Sequence, residues 1–368
     1  MKKIFLYVLS AAMVFMLLPQ AQSNAAPTIT IVPPDVTGAP LLDIPAFNTA
    51  VADLTTQIED EFADWDDQQD LAQGLGNSNA YAAQAANLWG YQGYSIFAVM
   101  VGPMIGVQAP SFNVDELQNV ADKIETEGDV YAGMGIGSAV NVGVRIPTFV
   151  KKLIGLGFLD NNLYVNVKYF GYSMEVDDFD ADTKTFGFGI NYQLFKPRKL
   201  PLGVLKWRGL SVGTGLLYNS NEVNFTIDGM GGIESAIGAT GHSIVMDPTL
   251  TLGIDTTSYT IPFEVSTSLR VLWILNLTLG AGVDFNFGNT DITIRNNNEI
   301  YVVGPLAGAT TPGYAVLDAS TTDVNPSFTR FRLMSGLGLS LGPVVVDMPV
   351  AWYLNSGASV GIQAGIVW

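Results

Sequence analysis

His242 followed at once by Ser243 is the nearest approach in this chain to a nucleophile beside its base. Neighbouring residues of an extended strand point to opposite faces, and the surrounding Gly-Ala-Thr-Gly-His-Ser reads as a loop. A serine hydrolase needs the base within hydrogen-bond reach of the nucleophile and a third group to orient it. The pair therefore gives no active site, no catalytic residue is assigned, and the chain is not read as an enzyme. His242 is the one histidine, and cysteine is absent. That excludes disulfide frameworks, thiolate metal sites, cysteine nucleophiles and any site needing two histidines. Carboxylates are frequent, and Asp53, Glu59, Asp60, Glu61, Asp64, Asp66 and Asp67 crowd one segment. They lack the fixed Asp/Asn, Gly and Glu spacing of a calcium loop. They read as the solvated face of a helix, and neither metal nor cofactor is expected.

The residues that suggest recognition are aromatic. Trp89, Tyr91, Tyr94 and Phe97 lie close together in sequence. Such side chains line the path of an apolar ligand, or else form a girdle at a membrane interface. Nucleic acid is excluded as a partner. The net charge of −17 leaves no cationic field to displace counterions from phosphate. Charged residues make up 14% of the chain, against about 25% in ordinary soluble domains.

The elements that must hold these residues begin with an address. Lys2 and Lys3 precede an apolar run from Ile4 to Leu18, and the small residues Ala21–Ala26 follow. This is the pattern of a secretory signal peptide over residues 1–26. The run is shorter than the roughly 20 residues a spanning helix needs, and without cysteine no lipid-modified N-terminus follows cleavage. Beyond it there is no run of about 18 apolar residues; the nearest, 94–107, is broken at Gly102-Pro103.

An apolar exported chain without spanning helices crosses a membrane only as a closed sheet, because hydrocarbon offers no partners for backbone groups. The alternation supports this. Trp368, Ile366, Ala364, Ile362 and Val360 share one face of a strand, and Val367, Gly365, Gln363, Gly361 and Ser359 the other. Leu333, Leu337, Leu339 and Leu341 alternate with Arg332, Gly336, Gly338 and Ser340. Leu275 to Phe287 alternates with Asn276, Thr278, Gly280, Gly282, Asp284 and Asn286. A second face of Gly, Ser and Asn with isolated charges suits a lumen better than open solvent.

The fold expected is all-β: a transmembrane antiparallel barrel of about 12–14 strands over residues 93–368, with an N-terminal helical or irregular plug segment. With the C-terminus in the periplasm, 108–128, 177–182 and 289–326 become outside loops. Lys151-Lys152 and the group Lys196, Arg198, Lys199, Lys206 and Arg208 then fall on the periplasmic side. The candidate strands 209–219, 221–228, 243–254 and 258–270 break at 220 and 255–257, and a hairpin across Asn296–Asn298 or a re-split of 209–245 raises the count from 12 to 14. The partners expected are outer-membrane lipid, a hydrophobic small molecule, and the barrel-assembly machinery, which would read the last strand ending at Trp368.

Residues 27–92 form a separate unit. Phe47, Val51, Leu54, Ile58, Phe62 and Trp65 recur at helical spacing, which predicts an amphipathic helix. Next comes the small-residue run Gly74-Leu75-Gly76-Asn77-Ser78-Asn79-Ala80-Tyr81-Ala82-Ala83-Gln84-Ala85-Ala86-Asn87. It suits a compact plug, since small side chains let backbones approach closely. This run resembles the N-terminal hatch of the FadL-like long-chain fatty-acid transporters. The resemblance implies that Gly74, Leu75, Gly76, Asn77, Ala80, Ala82 and Ala83 belong to a hatch inside a fourteen-stranded barrel. The chain departs from that family where an Asn-Pro-Ala motif is expected and Asn87-Leu88-Trp89 stands instead. The function expected is uptake of hydrophobic molecules, such as long-chain fatty acids, across the outer membrane past the plug. The alternatives are a passive diffusion porin with 27–92 in the periplasm, or a surface-exposed structural or adhesive barrel.

Overall fold

A period of two in the sequence becomes a closed wall in the protein. The computed structural model describes residues 23–37, 43–62, 69–89, 94, 96–108, 133–146, 162–176, 178–199, 204–227, 233–239, 241–246, 249–304, 311–354 and 356–368. Tyr91 and the loop 109–132 lie outside the described residues. The strands are β1 (Ser23–Val32), β2 (Phe97–Gln108), β3 (Gly133–Arg145), β4 (Leu163–Val176), β5 (Phe179–Phe195), β6 (Arg198–Lys199), β7 (Leu205–Ile227) and β8 (Ile233–Ala236). They continue with β9 (Ser243–Met246), β10 (Leu250–Val271), β11 (Leu275–Val303), β12 (Gly313–Val324), β13 (Thr329–Leu341), β14 (Val344–Tyr353), β15 (Gly357–Gly361) and β16 (Gln363–Val367). Two helices, α1 (Ile44–Phe62) and α2 (Gln69–Ala82), precede β2.

Twelve strands follow one another in the hydrogen-bonded order. The ring closes because β11 is long enough to fork. Its lower half, Leu275–Phe285, pairs with β13, and its upper half pairs with β12. The closed ring runs β2, β3, β4, β5, β7, β10, β11, β13, β14 and then β15 with β16, which meet β2 again. Counting β15 and β16 as one interrupted strand, ten strands form the ring among the described residues, all antiparallel and in chain order; this is fewer than the 12–14 expected, because 205–227 and 250–271 are each one long strand.

Four expectations change here. The polar triplet Asn219-Ser220-Asn221 is no turn but the middle of β7, and Asp255–Ser258 lies within β10. Asn296–Asn298 is likewise mid-strand in β11, and much of the expected loop 289–326 is β11 and β12. In each case polar residues on the inward face imitate turn chemistry while the backbone stays within the ladder.

The faces are inverted relative to a soluble protein. Along β2, Val101 and Ile105 point outward while Ala98, Met100 and Met104 are buried within the ring. Leu279, Phe331, Leu341, Ile362 and Trp368 are each about 60% exposed on the outside, whereas Asn141, Thr185, Asn219, Ser258, Asn276 and Arg332 are buried inside. Apolar outside and polar inside is what lipid around a closed sheet demands.

β11 also marks where the membrane ends. From Leu275 to Phe287 its outer residues are apolar; above that level they are Asn289, Asp291, Thr293, Arg295 and Glu299. The inner face changes in the opposite sense, from Asn286 and Thr290 to Ile292, Ile294, Ile300 and Val302. At about 3.4 Å per residue and about 40° of tilt, the apolar stretch rises about 30 Å, the thickness of a hydrocarbon core. Two cross-strand rows agree. Tyr169, Phe186, Tyr218, Tyr259 and Phe287 are consecutive partners across β4, β5, β7, β10 and β11, an interfacial aromatic girdle. Four residues nearer the strand tips, Asp182, Glu222, Asp255 and Asp291 are consecutive partners as well. Like charges directly opposite one another repel, so this row belongs in water or headgroups.

Above the girdle the inner face closes on α1. Phe47, Ala50 and Leu54, one stripe of that helix, pack with Ile237, Ile244, Met246, Ile300, Val302 and Ala315. This small apolar core sits at the ring's open-loop end, away from the tight turn at Gly342-Pro343.

Candidate functional site in the lumen

Eight strands make a barrel just wide enough for wall side chains to fill; a wider ring leaves a slot. In this ring the slot holds α2 and the residues after it. The helix touches β2, β3, β7, β10, β11, β12 and β15. Residues 77–86 are buried throughout. Such a fit requires small residues on both sides. A Cβ on Gly135 of β3 would stand 2.5 Å from the backbone nitrogen of Asn79, and one on Gly106 of β2 would strike the carbonyl of Ser78.

Polar side chains of the wall satisfy the backbone of the turn that follows α2. Buried carbonyls outside a helix or sheet ladder need such partners. Lys168, buried on β4, donates to the carbonyls of Ala83 and, at 3.1 Å, Ala85. Asn141 donates to Ala86 at 3.0 Å, and Gln363 to Asn87 at 3.1 Å. Ala86 takes a left-handed φ of 51° and turns the chain away from the helix axis. Asn79 donates to the carbonyl of Asn219 at 3.0 Å and to Ser258 at 3.1 Å. Its own side-chain oxygen accepts from Asn219 and Asn221. Asn77 accepts from the backbone of Ser327 at 2.7 Å.

Four charges meet in this space. Arg332 of β13 makes ion pairs of 2.8 Å with both Glu264 of β10 and Asp284 of β11. Trp89 donates from its indole nitrogen to Glu264 at 2.9 Å, and the guanidinium of Arg332 lies 5.4 Å from the centre of its ring. With Lys168 the two cations and two anions balance. Buried charge is tolerated only when paired and hydrogen-bonded, and Trp89 couples this group to the segment in the lumen. A small recess lies against it, lined by Asn87, Asn141, Asn166, Lys168, Asn191 and Glu264 among others.

The residues singled out in the sequence divide. Gly74, Gly76, Asn77, Ala80, Ala82 and Ala83 lie buried in the lumen, and Leu75 packs at its mouth against the cluster of Ala72, Ile292 and Val324. Trp89 and Tyr94 come together in an apolar cluster with Tyr81, Met100, Met104, Tyr164, Met334 and Tyr353; Tyr94 meets Tyr164 edge-on at 4.8 Å. Phe97 does not join them: it alternates with buried Ala98 and faces outward. His242 is buried near the β8–β9 hairpin, where its carbonyl accepts from Ile237. The alternation displayed Asp284 and Arg332 as lone charges on a small-residue face. That they meet Glu264, Lys168 and Trp89 was not legible without the ring.

Fold and lumen together define a transmembrane β-barrel of the outer-membrane kind with a helical segment packed inside. The chain belongs to the Lsa36-like family, which it matches over residues 24–368. No curated protein matches it. Among solved structures it is similar to the translocator domain of the autotransporter NalP from Neisseria meningitidis, with 10% identity, 74% of this chain and 89% of that one covered, and a TM-score of 0.25. It is also similar to the CymD monoaromatic hydrocarbon channel, with 9% identity, coverage of 81% and 93%, and a TM-score of 0.24. A Pseudomonas aeruginosa FadL homologue has 9% identity, coverage of 79% and 98%, and a TM-score of 0.24. Likenesses this remote carry no argument about cargo.

Proposed function

We propose that this barrel is a gated uptake channel for hydrophobic molecules, of which long-chain fatty acids are an example, with residues 69–89 as the gate. The observation that carries the reading is the apolar cluster around Trp89 and Tyr94, set inside a lumen that is otherwise polar. Three of its members, Met100, Met104 and Met334, have flexible, polarizable side chains that re-pack around varied apolar shapes. In the closed state the cluster is filled by Tyr81 and Leu88 of the gate. A cargo molecule would take their place as the gate shifts, and the neutral group of Arg332, Glu264, Asp284 and Lys168 would set the energy of that shift.

The test is flux in proteoliposomes holding the intact chain. Labelled oleate should enter faster than into protein-free vesicles, while glucose should be retained. Equal oleate entry with and without protein would refute the reading. Free passage of glucose would favour an open porin instead.

A further inference from the structure

We infer that the barrel also presents its own N-terminal unit: residues 27–62 stand on the face of the long strand tips, joined to the wall by a chain that passes right through the lumen. Residues at both ends and along the lumen mark the path. Past the expected signal peptide, β1 pairs with β12 from Thr28↔Asp318 to Val32↔Tyr314, and on its other side β12 pairs with the upper half of β11. α1 packs on β8, β9 and the upper ends of β11 and β12. Both elements therefore lie beyond the aromatic girdle, at the mouth where β4 turns into β5.

From there the chain descends. Ala72 meets Ile292 and Val324 at that mouth. Asn79 bonds Asn219 and Ser258 deeper in. Ala86 accepts from Asn141, and Tyr94 meets Tyr164 edge-on. The chain leaves at the opposite end, where Ile96 donates to the carbonyl of Trp368 and Phe97 pairs with Val144. That end carries the tight turn Gly342-Pro343 and the basic residues Arg198, Lys199 and Lys206. The α2 helix alone covers about 21 Å at 1.5 Å per residue.

A segment threaded in this way is fixed at both ends. It is unable to swing out of the barrel as a free N-terminal plug does, so any opening is a rearrangement within the lumen. The exposed side of α1, with Asn48, Thr49, Ala52, Asp53 and Thr56, becomes part of the surface that surrounds the long-loop mouth. The inference does not depend on what the channel carries.

The absence of cysteine makes the test direct. Single variants Thr49→Cys in α1, Asp180→Cys at the β4–β5 tip and Lys199→Cys at the opposite end are placed in the full chain in outer membranes of intact cells. An exposed thiol reacts readily with a membrane-impermeant maleimide, a buried one poorly, and all three positions are exposed. Thr49→Cys is expected to label together with Asp180→Cys, and Lys199→Cys only under the opposite condition of membrane permeability. Asn48→Cys repeats the reading from the same helix. If the α1 positions label with Lys199→Cys, the threading is wrong. Because only the sorting matters, the result is independent of cargo flux.

Discussion

A Cβ on Gly135 would stand 2.5 Å from the backbone nitrogen of Asn79, so the wall of the barrel and the segment inside it meet at backbone distance. Neither residue has freedom to grow. Overpacking of this kind costs about 1–3 kcal/mol. Gly135→Val is expected to lower the unfolding temperature in detergent and to raise the conductance in planar bilayers, because the displaced helix no longer fills the slot. Unchanged values of both would mean that the two surfaces are not in register.

Arg332 holds two carboxylates at once. Arg332→Leu leaves Glu264 and Asp284 buried without their cation, which costs about 3–5 kcal/mol. Removing one anion together with the cation, in Arg332→Leu/Asp284→Asn, leaves Glu264 balanced by Lys168 and is expected to recover much of that loss. Urea unfolding in micelles reads the difference, and a double variant less stable than the single one would show that the group does not act as a unit.

Asn79 is the hub that joins the lumen segment to β7 and β10. Asn79→Ala strands partners in a buried setting and is expected to cost about 1–3 kcal/mol. Single-channel records of this variant should show brief openings. Lys168→Met should act in the same direction, because it uncaps the carbonyls of Ala83 and Ala85.

Leu54 belongs to the core outside the membrane. Leu54→Ala is expected to loosen that unit by about 2–5 kcal/mol and leave the ring intact. Limited proteolysis should then cut within 43–62 faster, while the heat needed to unfold the barrel on a gel stays the same. Loss of barrel stability would show that α1 and the ring fold as one.

Much of the wall was legible because each strand faces lipid on one side only, so Leu275 to Phe287 or Leu333 to Leu341 write their pairing in plain alternation. The small residues from Gly74 to Ala86 likewise announced close packing. Short polar runs misled, since Asn219-Ser220-Asn221 and Asp255–Ser258 have the composition of turns, yet Asn219, Thr256 and Ser258 serve the lumen. Phe97 misled for the opposite reason: an aromatic at the start of a strand says nothing about which face it takes until Ala98 is seen to be buried. The meeting of Lys168, Glu264, Asp284 and Arg332 depends on four different strands curving into one ring, a relationship that local sequence does not encode. The fork in β11 was hidden too, although its reversal of polarity near Asn289 marks it once the inner and outer faces are known.

The central claim is that residues 69–89 close the lumen of the native chain. Single-channel recording of the intact protein in a planar bilayer tests it most directly. The expected result is a baseline without steady current, broken by rare openings that become frequent in Asn79→Ala. A large, constant conductance from the intact chain, unaffected by that substitution, would contradict it.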